Sequence, residues 1–214
     1  MVSVCPRCHK VIDEGAVCCA ELRCTWKCGA CAELITGFVV PFNRCFLCGG
    51  ELDLLKKPDT DKADAVQVIE EAMQFEINTL QYYRMARIKA RDAHQRAVFD
   101  RFAGMERGHI VLLEKKYHIH LDPRVLDMPF DAEQSLVSWL FKGINFDAPE
   151  GNVRPLYLGA IEMEQRTRDH FRQRGASLPA GTEKNICLEL AAEEEEHVGI
   201  LEAELAHLDA ADDS

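Results

Sequence analysis

The chain has 214 residues, 47% hydrophobic and 29% charged, with a formal net charge of -11. That balance excludes a disordered chain and leaves room for one full domain plus a small one. The acidic surplus argues against a nucleic-acid-binding surface, no run reaches the ~18 apolar residues of a membrane span, and the first residues lack the marks of a secretory leader. The expectation is a cytoplasmic protein that engages neither nucleic acid nor membrane.

Nine of the ten cysteines lie between Cys5 and Cys48. Close-spaced pairs in a chain without an export signal read as metal ligands rather than disulfides. Cys5-Pro6-Arg7-Cys8 is the first knuckle. With Cys19 (or its neighbour Cys18) and Cys24 it closes one four-thiolate site. Trp26-Lys27-Cys28-Gly29-Ala30-Cys31 and Cys45-Phe46-Leu47-Cys48-Gly49 then form a second, with thirteen residues between the pairs. Two Cys-x-x-Cys knuckles at that separation suit a tetrahedral metal. An interleaved, RING-like cross-brace is the alternative, with Cys5/Cys8 and Cys28/Cys31 sharing one metal. The sequential order is favoured because the Trp26 module reads as a unit. Thiolates accept both zinc and iron, so ligand type leaves the metal open, and a purely structural zinc role with it.

Residues 1–51 carry five basic and five acidic residues, so the whole negative charge belongs to the remainder. Residues 1–51 are read as a Cys-rich metal domain and 52–62 as a linker, with Pro58 in a polar stretch. A helical domain follows over 63–208, and 209–214 are an acidic tail. A helix over 64–90 starts from an N-cap at Asp61 or Asp64. Arg91-Asp92-Ala93 turns into a second over 94–117, and Asp122-Pro123 stops it. Residues 118–154 are irregular, with one short helix over 136–141. Helices over 155–176 and from Thr182 to about Leu208 complete the set. Four long helices with a long connection between the second and third predict an all-α four-helix bundle with a crossover.

The helical part repeats itself. Glu76 is followed thirty residues later by Glu106 and then His109; Glu164 is followed thirty residues later by Glu194 and then His197. The halves match at an offset of 88, which also pairs Tyr83 with Phe171 and Ala103 with Ala191. Residues three apart share a helix face, and each set lies ~22 Å from its turn. Facing hairpins bring four carboxylates and two imidazoles to one level, the pattern of di-iron or di-manganese carboxylate proteins. About one Glu-x-x-His pair is expected by chance in such a composition, so the weight rests on the shared spacing. Glu204/His207 lacks an upstream Glu and falls off the shared face, and Glu162 points elsewhere, so neither is assigned. Cys187 reads as a small core residue.

On these residues the chain resembles the rubrerythrins. Residues 63–208 look like their ferritin-like domain through Glu76 with Tyr83, Glu106/His109, Glu164 with Phe171, and Glu194/His197. Trp26, Cys28, Cys31, Cys45 and Cys48 look like their rubredoxin-like module. The resemblance implies two irons (or a manganese–iron pair) on the six bundle ligands, with Tyr83 hydrogen-bonding a ligand carboxylate within the catalytic set. It implies an iron in the thiolate module that passes electrons to them, hydrogen peroxide or O2 as substrate, a reductase as donor, and a homodimer. The module precedes the helices here, whereas many rubrerythrins place it after. Ala32 stands where the family usually has Gly, and Thr167 where it tends to carry an extra Glu. Two other functions suit the same residues: ferroxidase-type iron binding, or a non-enzymatic, zinc-stabilised adapter.

Overall fold

The computed structural model describes residues 3–5, 9, 11–12, 23–38, 43–57, 63–117, 119, 121–133, 135, 137–146, 148 and 152–212. The chain is mostly helical, with small sheets near its start. Its longest elements are α1 (Ala63–Lys89), α2 (Ala93–Tyr117), α4 (Arg154–Ser177) and α5 (Thr182–Asp212). It divides into two compact units, Met1–Asn78 with Arg107–Leu136, and Thr79–Glu106 with Val137–Ser214. The division passes through α1 and α2.

In the first unit, β1 (Ser3–Val4) pairs antiparallel with β2 (Val11–Ile12). A second sheet has β3 (Cys24–Cys28) at its centre, flanked by antiparallel β4 (Leu34–Gly37) and β5 (Leu52–Lys56). Alternation along β3 turns Cys24, Trp26 and Cys28 inward, where they meet Ile35, Cys45 and Leu52. This core of six side chains is small for a free-standing sheet. Leu52–Lys56 was read above as linker, and the structure corrects that. Leu54 and Leu55 are 44% and 58% exposed, so the strand is held by its backbone pairing to β3 and shows no inward–outward alternation. Residues 58–62, with the proposed cap at Asp61, lie outside the described residues.

Asp122-Pro123 does two jobs. The α2 helix ends at Tyr117, and the same dipeptide then opens a single turn, α3 (Pro123–Leu126). Asp122 Oδ1 accepts the Arg124 N–H at 3.0 Å, and proline occupies the first helical position, where its missing N–H costs nothing.

In the second unit, Asp92 caps α2 by accepting the Gln95 N–H at 2.9 Å. Arg87 and Asp100 pair at 2.9 Å across the α1–α2 turn. The short helix expected over 136–141 is a 3-10 turn, Ser138–Phe141. Arg166 of α4 ties it down, donating to the carbonyls of Leu140 (2.6 Å) and Lys142 (2.9 Å). The α4 and α5 helices pack along each other. Near their turn, a Cβ added at Gly175 would lie 3.2 Å from Cys187 Cβ. At the open end Arg154 holds Asp209 through two nitrogens, at 2.9 and 3.3 Å. The α5 helix runs four residues past the expected end at Leu208, so part of the acidic tail is helix. No helix among the described residues is long and apolar enough to cross a membrane.

Candidate metal centres

The strands and their following loops gather four thiols. The sulfurs of Cys28, Cys31, Cys45 and Cys48 all lie within 4.8 Å of one another. Cys28 Sγ is 3.5 Å from Cys48 Sγ, and Cys31 Sγ is 3.9 Å from Cys45 Sγ. A tetrahedron of sulfurs around an ion at ~2.3 Å has edges of about 3.8 Å, so this donor set fits one metal. The two pairs stand together as the sequential reading expects of them, and Cys8 of the alternative cross-brace lies outside the described residues. Cys28 and Cys45 are buried, while Cys31 and Cys48 face solvent. The Cys31 N–H points at Cys28 Sγ (3.4 Å) and, with the Ala30 N–H and against burial, lowers that thiol to about 7.

Both knuckles are built by one backbone device. The residue after the second cysteine adopts a left-handed φ and donates its N–H to the carbonyl of the first. Ala32 (φ 60) donates to Cys28 O at 3.0 Å, and Gly49 (φ 75) to Cys45 O at 2.7 Å. His9 (φ 58) donates to Cys5 O at 3.0 Å in the same way. Alanine carries a steric cost there that glycine does not. Ala32→Gly is therefore expected to stabilise the module by about 0.5–1 kcal/mol, measurable by denaturant unfolding with metal bound. Gly50 is needed for space: a Cβ there would stand 2.6 Å from Ala30 Cβ and 2.9 Å from Cys28 Sγ.

The remaining cysteines divide. Cys8, Cys18 and Cys19 lie outside the described residues. Cys5 is buried and Cys24 is buried, but neither joins a metal-binding group among the described residues. Cys24 Sγ donates to Glu70 Oε1 at 3.8 Å, and burial, with Glu70 beside it, pushes the thiol up to about 12. Cys187 is a fully buried core residue, as expected. A cavity of about 380 Å³ opens beside the second knuckle, with Cys45, Phe46, Leu47, Arg124 and Met128 in its wall.

Each unit places an imidazole beside carboxylate oxygens. In the first unit, His109 Nδ1 lies 3.1 Å from Glu76 Oε2. In the second, His197 Nδ1 lies 3.2 Å from Glu106 Oε1, 3.2 Å from Glu194 Oε2 and 3.9 Å from Glu164 Oε1. Ligands at ~2.1 Å from a common ion stand about 3.0–3.4 Å apart, so the His197 group also fits a metal. Glu106, Glu164 and Glu194 are at most 1% exposed. Burial, and then Glu194 and Glu106, holds the Glu164 carboxyl well above the usual carboxylate range. Tyr83 donates its hydroxyl to Glu164 Oε1 and is itself fully buried. Buried carboxylates at this density call for a cation among them.

No protein-family model, no curated protein and no solved structure matches the chain.

The residues set aside from the sequence stay outside these groups. Glu162 pairs with Arg166 on the surface. Glu204 is taken by His94 Nε2 at 3.0 Å, and His207 is exposed. Phe171 is buried, and Thr167 turns its hydroxyl back to Met163 O at 3.0 Å. Sequence reasoning missed Phe102. Its ring stacks on Tyr83 (5.0 Å) and sets its edge against His197 (5.5 Å, 88°), so it holds two site residues at once. Its position one turn before Glu106 was the available signal.

Proposed function

We propose that the chain is a rubrerythrin-like non-haem di-iron oxidoreductase. In this reading a ferritin-like four-helix bundle holds two irons on Glu76, Glu106, His109, Glu164, Glu194 and His197. Hydrogen peroxide is the substrate, and electrons arrive through an iron on Cys28, Cys31, Cys45 and Cys48 from a reductase. A homodimer is the working form. The observation that carries the proposal is the surrounding of His197, where an imidazole meets two buried carboxylates at ligand spacing, 3.2 Å each, and a third at 3.9 Å. The repeat supports it too, since Glu106 and His109 stand one turn apart on α2 and Glu76 meets His109 at 3.1 Å.

Iron held by these residues would supply the two electrons that, with two protons, reduce hydrogen peroxide to two waters. The protein's own part is placement. Tyr83 fixes Glu164 through one oxygen and leaves the other free to turn inward. Phe102 fixes the planes of Tyr83 and His197. Burial of Glu106, Glu164, Glu194 and His197 keeps bulk water from them. In the thiolate module the exposed Cys31 and Cys48 give a donor access to the metal.

A second reading, iron oxidation and storage, draws support from Thr167, which brings no further carboxylate to the α4 face. Iron-loaded protein supplied with a reductant and hydrogen peroxide separates the two. Sustained peroxide consumption, two electrons per peroxide, is expected. A single oxidation followed by ferric accumulation would favour storage instead. Zinc as the only metal in anaerobically purified protein would remove both.

A further inference from the structure

A cation stands over the second cysteine knuckle, and it comes from a distant part of the chain. The Arg124 guanidinium lies 4.4 Å from the centre of the Phe46 ring, within Cys45-Phe46-Leu47-Cys48. Phe46 in turn packs against the module's core. Arg124 belongs to α3, a turn whose place is fixed. Leu121, just before it, donates its N–H to the Glu114 carboxylate of α2 at 2.7 Å, and both Leu121 and Val125 are buried. Asp122 then grips the guanidinium through two oxygens, at 2.9 and 2.5 Å. We infer that Arg124 is a positioning residue for the four-thiolate centre: it braces the Cys45–Cys48 loop through Phe46 and holds there a positive charge that favours the metal-bound and the reduced site. The redox part rests on the iron-bound module of the reading above; the metal-holding part needs only an ion on the four cysteines.

Charge gives the direction. Four thiolates leave the site with two negative charges around a divalent ion and one around ferric iron. A cation close by stabilises both states, and the doubly negative one more. It therefore helps the thiolates keep a metal and draws an electron onto iron. Arg124 is near enough to act: Asp122 first, against desolvation, and then Glu33 and Cys45 hold its guanidinium above the ordinary range. Asp122 offsets part of the field. The positive end stays on the sulfur side, since Arg124 and Cys45 share the wall of the cavity of about 380 Å³ and Asp122 does not border it. The Arg124 side chain is 55% exposed, so water and salt weaken the effect to about two- to five-fold. Arginine suits the brace because its planar group stacks on a ring and forks onto a carboxylate, which lysine does not do.

The test sets Arg124→Gln and Arg124→Lys beside wild type in the full chain. Zinc-loaded protein is challenged with a coloured chelator, and the rate of zinc loss is read. Protein with iron on the four cysteines is poised against redox dyes, and the ferric-thiolate absorption gives the midpoint. Arg124→Gln should lose zinc faster and show a lower potential, by the same two- to five-fold, or about 20–40 mV at ~59 mV per tenfold. Arg124→Lys should restore the potential, because the charge remains, and only part of the zinc retention, because the brace does not. Raising salt from ~0.05 to ~1 M should shrink the gap in potential between wild type and Arg124→Gln, which a purely structural contact would leave in place. Circular dichroism and Trp26 emission check that each variant folds. Equal zinc loss in wild type and Arg124→Gln would overturn the brace. Equal potentials, or a gap that salt does not touch, would overturn the charge and leave the functional reading standing. A module that takes zinc but no iron would sink the electron-carrying reading and the redox part with it, while the zinc comparison still decides what Arg124 does. No metal on the cysteines at all would overturn both.

Discussion

A chain carrying Glu106→Ala and Glu194→Ala, purified without oxygen, is expected to lose about two metal ions and keep the one on the four cysteines. Both glutamates stand 3.2 Å from His197 Nδ1, and both are buried. Removing them takes away two of the three anionic groups that make the pocket attractive to a cation. Peroxide turnover should fall to background with them. Metal analysis beside wild type checks the first part, and a peroxide assay the second. Isosteric replacements add a sign test. Metal-free Glu106→Gln/Glu194→Gln should melt higher than metal-free wild type, by about 1–4 kcal/mol in stability, because wild type must bury like charges. With metal bound the order should reverse. Two variants that melt alike with and without metal would sink the assignment.

Cys45→Ser should have the largest effect on the fold. The module's core holds six buried side chains, two of them the ligands Cys28 and Cys45. A structural metal contributes about 10–16 kcal/mol to such a small domain, against ~1 kcal/mol for an ordinary substitution. Loss of one sulfur from the tetrahedron should therefore release the metal and open the β3–β4–β5 sheet. The α4–α5 hairpin, which contains no part of that core, should keep its helicity. Trp26 reports the change: it is 8% exposed when folded, and its emission should shift to the red as water reaches it. Trp139→Phe provides a background in which Trp26 is the sole indole. Metal retained beside a still-buried Trp26 would contradict the assignment of Cys45.

The carboxylate groups were legible in the sequence because a spacing of thirty, used twice, is a geometric statement about hairpins. So were the helix positions, each within a few residues, because apolar periodicity and the absence of Pro and Gly survive any tertiary context. The misses share a physical cause. Strand β5 carries one inward side chain, Leu52, so hydrophobic patterning had nothing to detect. The α3 turn starts at a proline that also ends the preceding run, and both outcomes suit its ring. Asp209 pairs with Arg154, fifty-five residues earlier, a contact that no local pattern announces. Local signals were readable, and partners supplied from a distance were not.

Cys31 and Cys48 face solvent, so half of the sulfur around a metal held by the four cysteines would be in contact with water. An electron donor meets those atoms first, and so does any oxidant the protein encounters. A thiolate is the form of cysteine that peroxide attacks, and the metal is what keeps its lone pairs occupied. An ion bound there would therefore act as a corrosion inhibitor for the loops that hold it. A chain stripped of that ion would age chemically, cysteine by cysteine, long before it wore out mechanically.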